Sequence, residues 1–294
     1  MTAHDAPTTP AAFEAWLDQP GFPFAHPPPV PLDALFVAPP LVVSSATAAG
    51  TRVETPATDA VTLALDRPRL LVAGSRRSGR TMLAKRVVAA ARARGEVAVY
   101  ARGGFLHGDD APAAVAGRLA ALVAEQHEGP DQPPALLVLD DLELARLPGR
   151  RGVHALGRQA VLAAVEGQVE RVVAFADDAA LADHVNGPQG PALQYDRATI
   201  GALDPERRAA FASRFVEAVA PVEGWRAFVR PTREVLAELF DEGAVPAFPY
   251  YVLCALGELY AGESVPLVGS GYGPYYARTI HEAVIRAAHH HLLS

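Results

Sequence analysis

Between residues 70 and 83 the chain reads Leu70-Leu71-Val72-Ala73-Gly74-Ser75-Arg76-Arg77-Ser78-Gly79-Arg80-Thr81-Met82-Leu83, and few folds accommodate such a stretch. An apolar run stops at a glycine, four small or basic residues follow, and a second glycine opens a helical pattern. The spacing is that of a phosphate-binding loop, G-x-x-x-x-G-K-[ST], with arginine in place of the lysine. Gly74 and Gly79 let the backbone curl so that successive N–H groups converge as an anion nest. A helix beginning near Gly79 adds roughly half an elementary charge at its N-terminus. In this reading Gly74, Ser75, Arg76, Arg77, Ser78, Gly79, Arg80, Thr81 and Met82 contact a nucleotide. Arg80 faces the β- and γ-phosphates, and the Thr81 hydroxyl ligates Mg²⁺. The competing reading is a glycine-punctuated strand-to-helix turn without a ligand. The arginine bears on hydrolysis more than on binding, because the nest is backbone whereas a guanidinium is a bulkier fork than an ammonium. Lys85 is the sole lysine among 26 basic residues, so Arg80 also fits a general drift from lysine to arginine.

On both sides of this loop short apolar runs alternate with helical periodicity. Strands are expected at 70–73, 96–100, 135–139, 171–175 and 192–200, with helices at 79–94, 111–127, 154–167 and 178–185. Short, wholly apolar strands between helices mark a parallel sheet buried on both faces. The expected fold is a doubly wound α/β domain with a five-stranded parallel sheet, its ligand outside the strand C-termini. Residues 1–30 read as a Pro-rich leader with a short helix over 12–18, and residues 31–200 as the α/β domain. Within the latter, 32–41 is an apolar segment packed on the domain and 44–60 a loop. After residue 200 the period changes. Asp204-Pro205-Glu206 supplies an N-cap and a first-turn proline, and helices are expected to about 220 and at 231–242, 246–260 and 275–292. Residues 201–294 are thus a small helical domain.

A second constellation closes the third strand: Leu136-Leu137-Val138-Leu139-Asp140-Asp141. Four apolar residues ending in acid have the form of a Walker B strand. Asp140 would hold Mg²⁺ through water beside Thr81, and Asp141 would orient or deprotonate the attacking water. Glu143 is a lesser candidate for that second role. Aspartates also end buried strands simply as turn formers, which is the competing reading.

Composition narrows the classes. With 50% apolar residues over 294 positions the chain buries a sizeable core. A net charge of −7 argues against a nucleic-acid surface spread over the whole protein. One cysteine, Cys254, forms no internal disulfide, which fits a reducing cytoplasm. No apolar run reaches the roughly 18 residues of a membrane helix, and no basic start leads into an apolar core. His289-His290-His291 diverge around a helix and read as a solvated helix end rather than a metal site.

Taken in order, LDALFVAPPL, the glycine loop, VLDDLELA, VVAFADDAAL, YDRATIGALDPERRAAFASRF, VPAFPYYVLCAL and SGYGPYYARTIHEAVI resemble the signal-transducing STAND P-loop ATPases, in particular bacterial forms fused behind effectors such as metallophosphoesterases. The likeness covers roughly residues 30–285. It implies an ATP/ADP-dependent switch with slow or impaired hydrolysis, in signalling or antiphage defence, with the helical domain closing over the nucleotide. It also implies that Pro249, or else Pro246, touches the base. A protein partner or self-association would carry the effector and sensor functions, with no membrane partner. Three departures stand out: Arg80 itself, the lack of an arginine after the fourth strand, and the lack of an effector before residue 30 or a repeat sensor after 294. Two rivals remain, a non-catalytic scaffold with a degenerate loop and a small-molecule P-loop kinase. The helical domain placed after strand five argues against the kinase.

Overall fold

A computed structural model describes residues 7, 9–20, 30–46, 52–57, 59–105, 112–128, 132–145, 154–178, 195–219, 236–237, 239–241 and 245–261. The expected helices at 178–185 (beyond its first residue) and 275–292, more than half of that at 231–242, and the three C-terminal histidines lie outside these residues. The chain divides into two compact units. Unit 1 comprises residues 1–18, 40–76 and 80–201, and unit 2 comprises 19–39, 77–79 and 202–294.

Unit 1 is built on one seven-stranded sheet of strands β1 (Leu41–Ala46), β2 (Arg52–Ala57), β3 (Arg69–Ala73), β4 (Ala98–Arg102), β5 (Leu136–Asp140), β6 (Arg171–Ala176) and β7 (Asp196–Ile200). Their spatial order is β2-β1-β7-β3-β6-β5-β4. The five strands expected from the sequence are β3 to β7, all mutually parallel. The sheet is nonetheless mixed and larger than five strands. Residues 44–60, expected as a loop, contribute to an antiparallel hairpin that adds β1 to β7, with Leu41 opposite Ile200 and Val43 opposite Ala198. Pairing with β2, and of Ser44 with Arg197 of β7, overrides the weak local signal of Ser44-Ser45-Ala46. Pro56 sits in β2, an edge strand, where a missing N–H is tolerated.

Burial explains the parallel core. Leu70, Leu71, Val72, Leu136 to Leu139 and Val172 to Phe175 are fully buried, because helices cover both sheet faces. One cluster joins Val99, Leu137, Leu139, Val172 and Ala174 of the sheet to Val115, Leu119 and Val123 of α5 (Pro112–Gln126) and to Val161, Leu162 and Val165 of α6 (His154–Val165). Helix α3 (Ala60–Asp66) starts on Asp59, whose carboxylate accepts from the Val61 N–H at 2.9 Å and the Thr62 hydroxyl at 2.7 Å. Helix α4 (Arg80–Ala93) buries Leu83, Ala84, Val87, Val88 and Ala91, a stripe at helical spacing. At its C-terminal end Arg92 donates to the Ala98 carbonyl from Nε at 3.1 Å and Nη2 at 2.9 Å, tying it to the start of β4. The short helix expected in the leader forms as α1 (Pro10–Leu17), and it packs on α4 and α5 with Phe13 and Leu17 buried.

In unit 2, α2 (Leu32–Leu35) contacts α7 (Pro205–Val219). Helix α7 opens at Asp204, whose carboxylate caps the Arg207 N–H at 2.8 Å. Its Phe211 and Phe215 share a core with Leu35, Leu239, Phe240 and the buried face of α8 (Pro249–Ala261), Cys254 included. Among the described residues no helix is long and apolar enough to cross a membrane.

Candidate functional site

The glycine loop leaves the C-terminal end of β3, where the Gly74 N–H donates to the Ala176 carbonyl at 3.1 Å. Two of its residues are left-handed, Gly79 at φ 96° and Arg77 at φ 72°. For glycine that conformation costs little, whereas for arginine it carries a penalty of about 1–2 kcal/mol. Helix α4 then begins at Arg80. A strand, a loop with left-handed turns and a helix start are the parts from which an anion nest is made.

Polar atoms around this loop lack protein partners. The hydroxyls of Ser75 and Ser78 and Nη1 of Arg80 are buried without a hydrogen bond. A buried donor left unmade costs about 1–3 kcal/mol, and four further side-chain atoms, on Arg86, Arg158, Glu166 and Tyr195, are likewise buried without a hydrogen bond elsewhere among the described residues. The three atoms on Ser75, Ser78 and Arg80 are all donors, and a phosphate group, which only accepts, matches them in chemistry.

Opposite the first turn of α4 stands the end of β5. The structure brings Thr81 and Asp140 together, with the hydroxyl donating to Oδ2 at 2.7 Å across 59 residues of sequence. Asp140 is fully buried. Its Oδ2 also accepts from the Tyr100 hydroxyl at 2.9 Å, and its Oδ1 from the Asp141 N–H at 3.0 Å. Burial and the charge of Asp141 push its carboxyl above the usual range, and the Thr81 and Tyr100 hydrogen bonds oppose them. A hydroxyl paired with a buried carboxylate is an all-oxygen donor set of the kind Mg²⁺ takes, usually through retained waters.

Asp141 takes the left-handed conformation at φ 51° and is engaged by Arg102, whose Nε donates to Oδ2 at 2.9 Å and whose Nη2 reaches the same oxygen. Arg80 turns toward these acids, with Nη2 at 2.9 Å from Glu143 Oε1 and 3.9 Å from Asp141 Oδ1. Burial works against its charge, but Glu143 and the two aspartates outweigh it and raise its pKa. The other Glu143 oxygen accepts the Asp177 N–H at 3.2 Å. Both acids considered for water activation are therefore held by arginines.

The remaining expected residues divide between the two units. Ser75 and Arg76 follow Gly74 in unit 1, and Met82 sits in the first turn of α4. Within unit 2, a Cβ on Gly79 would lie 3.2 Å from Cγ of Pro249, and the Arg77 guanidinium lies 3.9 Å from the centre of the Tyr250 ring.

Several functional residues escape sequence reasoning. Tyr100 and Arg102, at alternate positions of β4, hold Asp140 and Asp141; only the parallel pairing of β4 with β5, which sets Arg102 opposite Asp140, reveals them. Gly103 follows. A Cβ there would fall 2.5 Å from the Asp141 carbonyl oxygen and 2.7 Å from Leu142 Cα, while its N–H donates to the Asp140 carbonyl at 2.7 Å. Lys85, one turn after Thr81, is buried, and its pKa is pushed down to about 8 by burial, with Asp140 opposing. Its place as the sole lysine was the one available signal.

No protein-family model matches the chain, and no curated protein matches it. Among solved structures it is similar to the ORC2 protein of Aeropyrum pernix in its ADPNP–ADP complexes, at 14% identity and TM-score 0.47, covering 77% of this chain and 66% of that one. It is also similar to AMPPCP-bound DnaA from Aquifex aeolicus, at 12% identity and TM-score 0.35 over 78% of this chain and 84% of that one. A third is Hsp104 in its closed state with ATPγS and FITC casein, at 13% identity and TM-score 0.47 over 77% and 40%. The chain's own geometry is an α/β unit with a glycine loop after β3 and an acidic strand end at β5.

Proposed function

We propose that this protein is a nucleotide-binding module of the P-loop type that holds ATP or ADP with Mg²⁺. The observation that carries the reading is the set of orphaned polar atoms, Ser75 Oγ, Ser78 Oγ and Arg80 Nη1, in the stretch that leads into Thr81, the partner of Asp140. The loop N–H groups and the N-terminus of α4 bind the phosphates. Arg80 lends a planar fork to their terminal oxygens. Thr81 and Asp140 hold the metal, whose chemistry is to neutralise phosphate charge. Asp141, or Glu143, orients a water, and Pro249 flanks the base.

Hydrolysis is slow in this account. Arg80 spends a hydrogen bond on Glu143 and Asp141 spends its Oδ2 on Arg102, so either acid must exchange partners before it polarises water. That fits the STAND-like reading of a switch in cytoplasmic signalling or antiphage defence whose effector and sensor functions lie on a partner or on associated copies. Calorimetric titration with ATP and with ADP, each with Mg²⁺ and with EDTA, tests the binding. Saturable heat with both nucleotides, stronger for ATP when Mg²⁺ is present, is expected; no heat at millimolar nucleotide overturns the proposal.

The ion pairs favour one other reading. Because Arg80 and Arg102 pair with Asp141 and Glu143 without a ligand, the loop would serve as a structural corner in a non-catalytic scaffold. That reading expects the same unfolding midpoint with and without nucleotide.

A further inference from the structure

Tyr100 is held on three sides, by Gln126, Trp16 and Asp140. Its strand, β4, is the sheet edge, and there the Gln126 side chain of α5 replaces the missing neighbour. Gln126 Oε1 accepts the Tyr100 N–H at 2.9 Å and its Nε2 donates to the Tyr100 carbonyl at 2.8 Å. The phenol ring meets the Trp16 ring of α1 edge-on, with centroids 4.9 Å apart. Its hydroxyl reaches Asp140 Oδ2, the oxygen that also accepts from Thr81.

Helix α1 is seated on α4 and α5, with Trp16 against Tyr100 of β4, and its polar contacts reach α4. Lys85 Nζ donates to the Trp16 carbonyl at 2.8 Å and lies 3.8 Å from the centre of the Trp16 ring. The Arg92 guanidinium stacks 4.7 Å from the Phe13 ring and pairs with Glu14. One helix face thus lids the only lysine of the chain and props the tyrosine behind the metal-binding aspartate. An eight-residue helix has too few backbone bonds to persist alone in water, so α1 keeps its form only while docked on its neighbours.

From this juxtaposition we infer that Tyr100 is a positioning residue for Asp140 and that α1 is a latch whose docking, through Trp16, sets the affinity of the metal side of the site. The inference rests on the P-loop reading above. Tyr100 restricts the carboxylate to the orientation in which Oδ2 meets Thr81, and Trp16 keeps the ring from swinging away. Binding linkage is reciprocal, so Mg²⁺ with nucleotide must in turn favour the docked α1. Whatever draws α1 off its seat therefore weakens the metal complex while sparing contacts made by the loop backbone.

The sole lysine makes the test specific. The full-length protein is treated with the N-hydroxysuccinimide ester of acetate, and acetylation of Lys85 is mapped by mass spectrometry against the N-terminal amine. In parallel, ATP affinity is measured with Mg²⁺ and with EDTA. Wild type should protect Lys85, and Mg²⁺-ATP should protect it further. Trp16→Ala should speed Lys85 acetylation at least about tenfold and weaken ATP binding about three- to tenfold with Mg²⁺ only, the scale of one ordinary hydrogen bond. Tyr100→Phe should show the same metal-specific loss with Lys85 still protected, and Trp16→Phe should restore both readouts. Exposure of Lys85 in Trp16→Ala with unaltered Mg²⁺ dependence overturns the coupling, as does equal loss with and without Mg²⁺ in Tyr100→Phe. If wild type binds nucleotide without any Mg²⁺ effect, the metal site and the coupling fall together. Rapid acetylation of Lys85 in wild type refutes the latch whatever the nucleotide result.

Discussion

Gly103 offers the sharpest test of how the acidic turn is built. In Gly103→Ala the new methyl would lie 2.5 Å from the Asp141 carbonyl oxygen and 2.7 Å from Leu142 Cα. Both obstacles are backbone, so no flexible side chain gives way, and relief to ordinary contact near 3.4 Å requires a shift of roughly 0.7–0.9 Å. That shift also stretches the bond from the Gly103 N–H to the Asp140 carbonyl, now 2.7 Å long. Overpacking of this kind costs about 1–3 kcal/mol, or roughly 2–10 °C in the midpoint of a unit this size. Thermal and denaturant unfolding of Gly103→Ala should show that loss, together with weaker Mg²⁺-dependent ATP binding because Asp140 moves with the turn. Gly104→Ala is the control, since its methyl would meet Leu144 no closer than 3.9 Å and should be nearly neutral. Equal stability of the two variants would refute the close approach of β4 to the turn after β5.

Four other substitutions, at three positions, probe the site and its frame. Arg80→Lys should raise ATP turnover at least about tenfold in a phosphate-release assay with little change in affinity, because a mobile point charge follows the transferred phosphate better than a rigid fork; Arg80→Ala should instead lose much of the ATP affinity. Asp140→Asn should weaken Mg²⁺-dependent ATP binding and leave metal-free ADP binding nearly unchanged, and equal loss in both titrations would make Asp140 a structural strand end. Asp59→Ala removes the cap of α3 and should cost about 1 kcal/mol at neutral pH. Burial raises the Asp59 pKa, but the Thr62 and Val61 hydrogen bonds bring it below the ordinary 3.8. The cap's charge-dependent share is therefore whole above that value and lost as pH falls through the folded pKa, so the gap in unfolding midpoint between Asp59→Ala and wild type should narrow in acid.

The parallel strands were legible because Leu136 to Leu139 and Val172 to Phe175 carry apolar side chains on both faces, a pattern helices and half-exposed strands do not share. The hairpin of β1 and β2 was not, because Ser44-Ser45-Ala46 and Glu54-Thr55-Pro56-Ala57 hold no strand signal of their own; β2 pairs only with β1, and β1 joins the sheet through Leu41 to Ser44 against β7, some 150 residues away. The pairing of Thr81 with Asp140 could be read from motif spacing, since a loop after one parallel strand and an acid ending another reach the same sheet edge. Their partners could not. Tyr100 and Arg102 matter through register with β5, and Trp16 through the seat of α1 on α4, neither of which leaves a local pattern. Arg80 was legible as a residue but not in its engagement: the sequence pointed it at phosphate, whereas its Nη2 rests on Glu143.

The most direct test of the central claim is the unfolding midpoint of the wild-type protein as ADP and ATP, each with Mg²⁺, are raised from micromolar to millimolar concentration. A ligand that binds only the folded protein stabilises it by about 2.7 kcal/mol at a hundred times its dissociation constant, and by a further 1.4 kcal/mol for each later decade. A midpoint that climbs steadily with the logarithm of nucleotide, for both nucleotides and more steeply placed for ATP with Mg²⁺, is the predicted result. A midpoint unmoved by either nucleotide at millimolar concentration would contradict the account and leave the glycine loop as a structural turn.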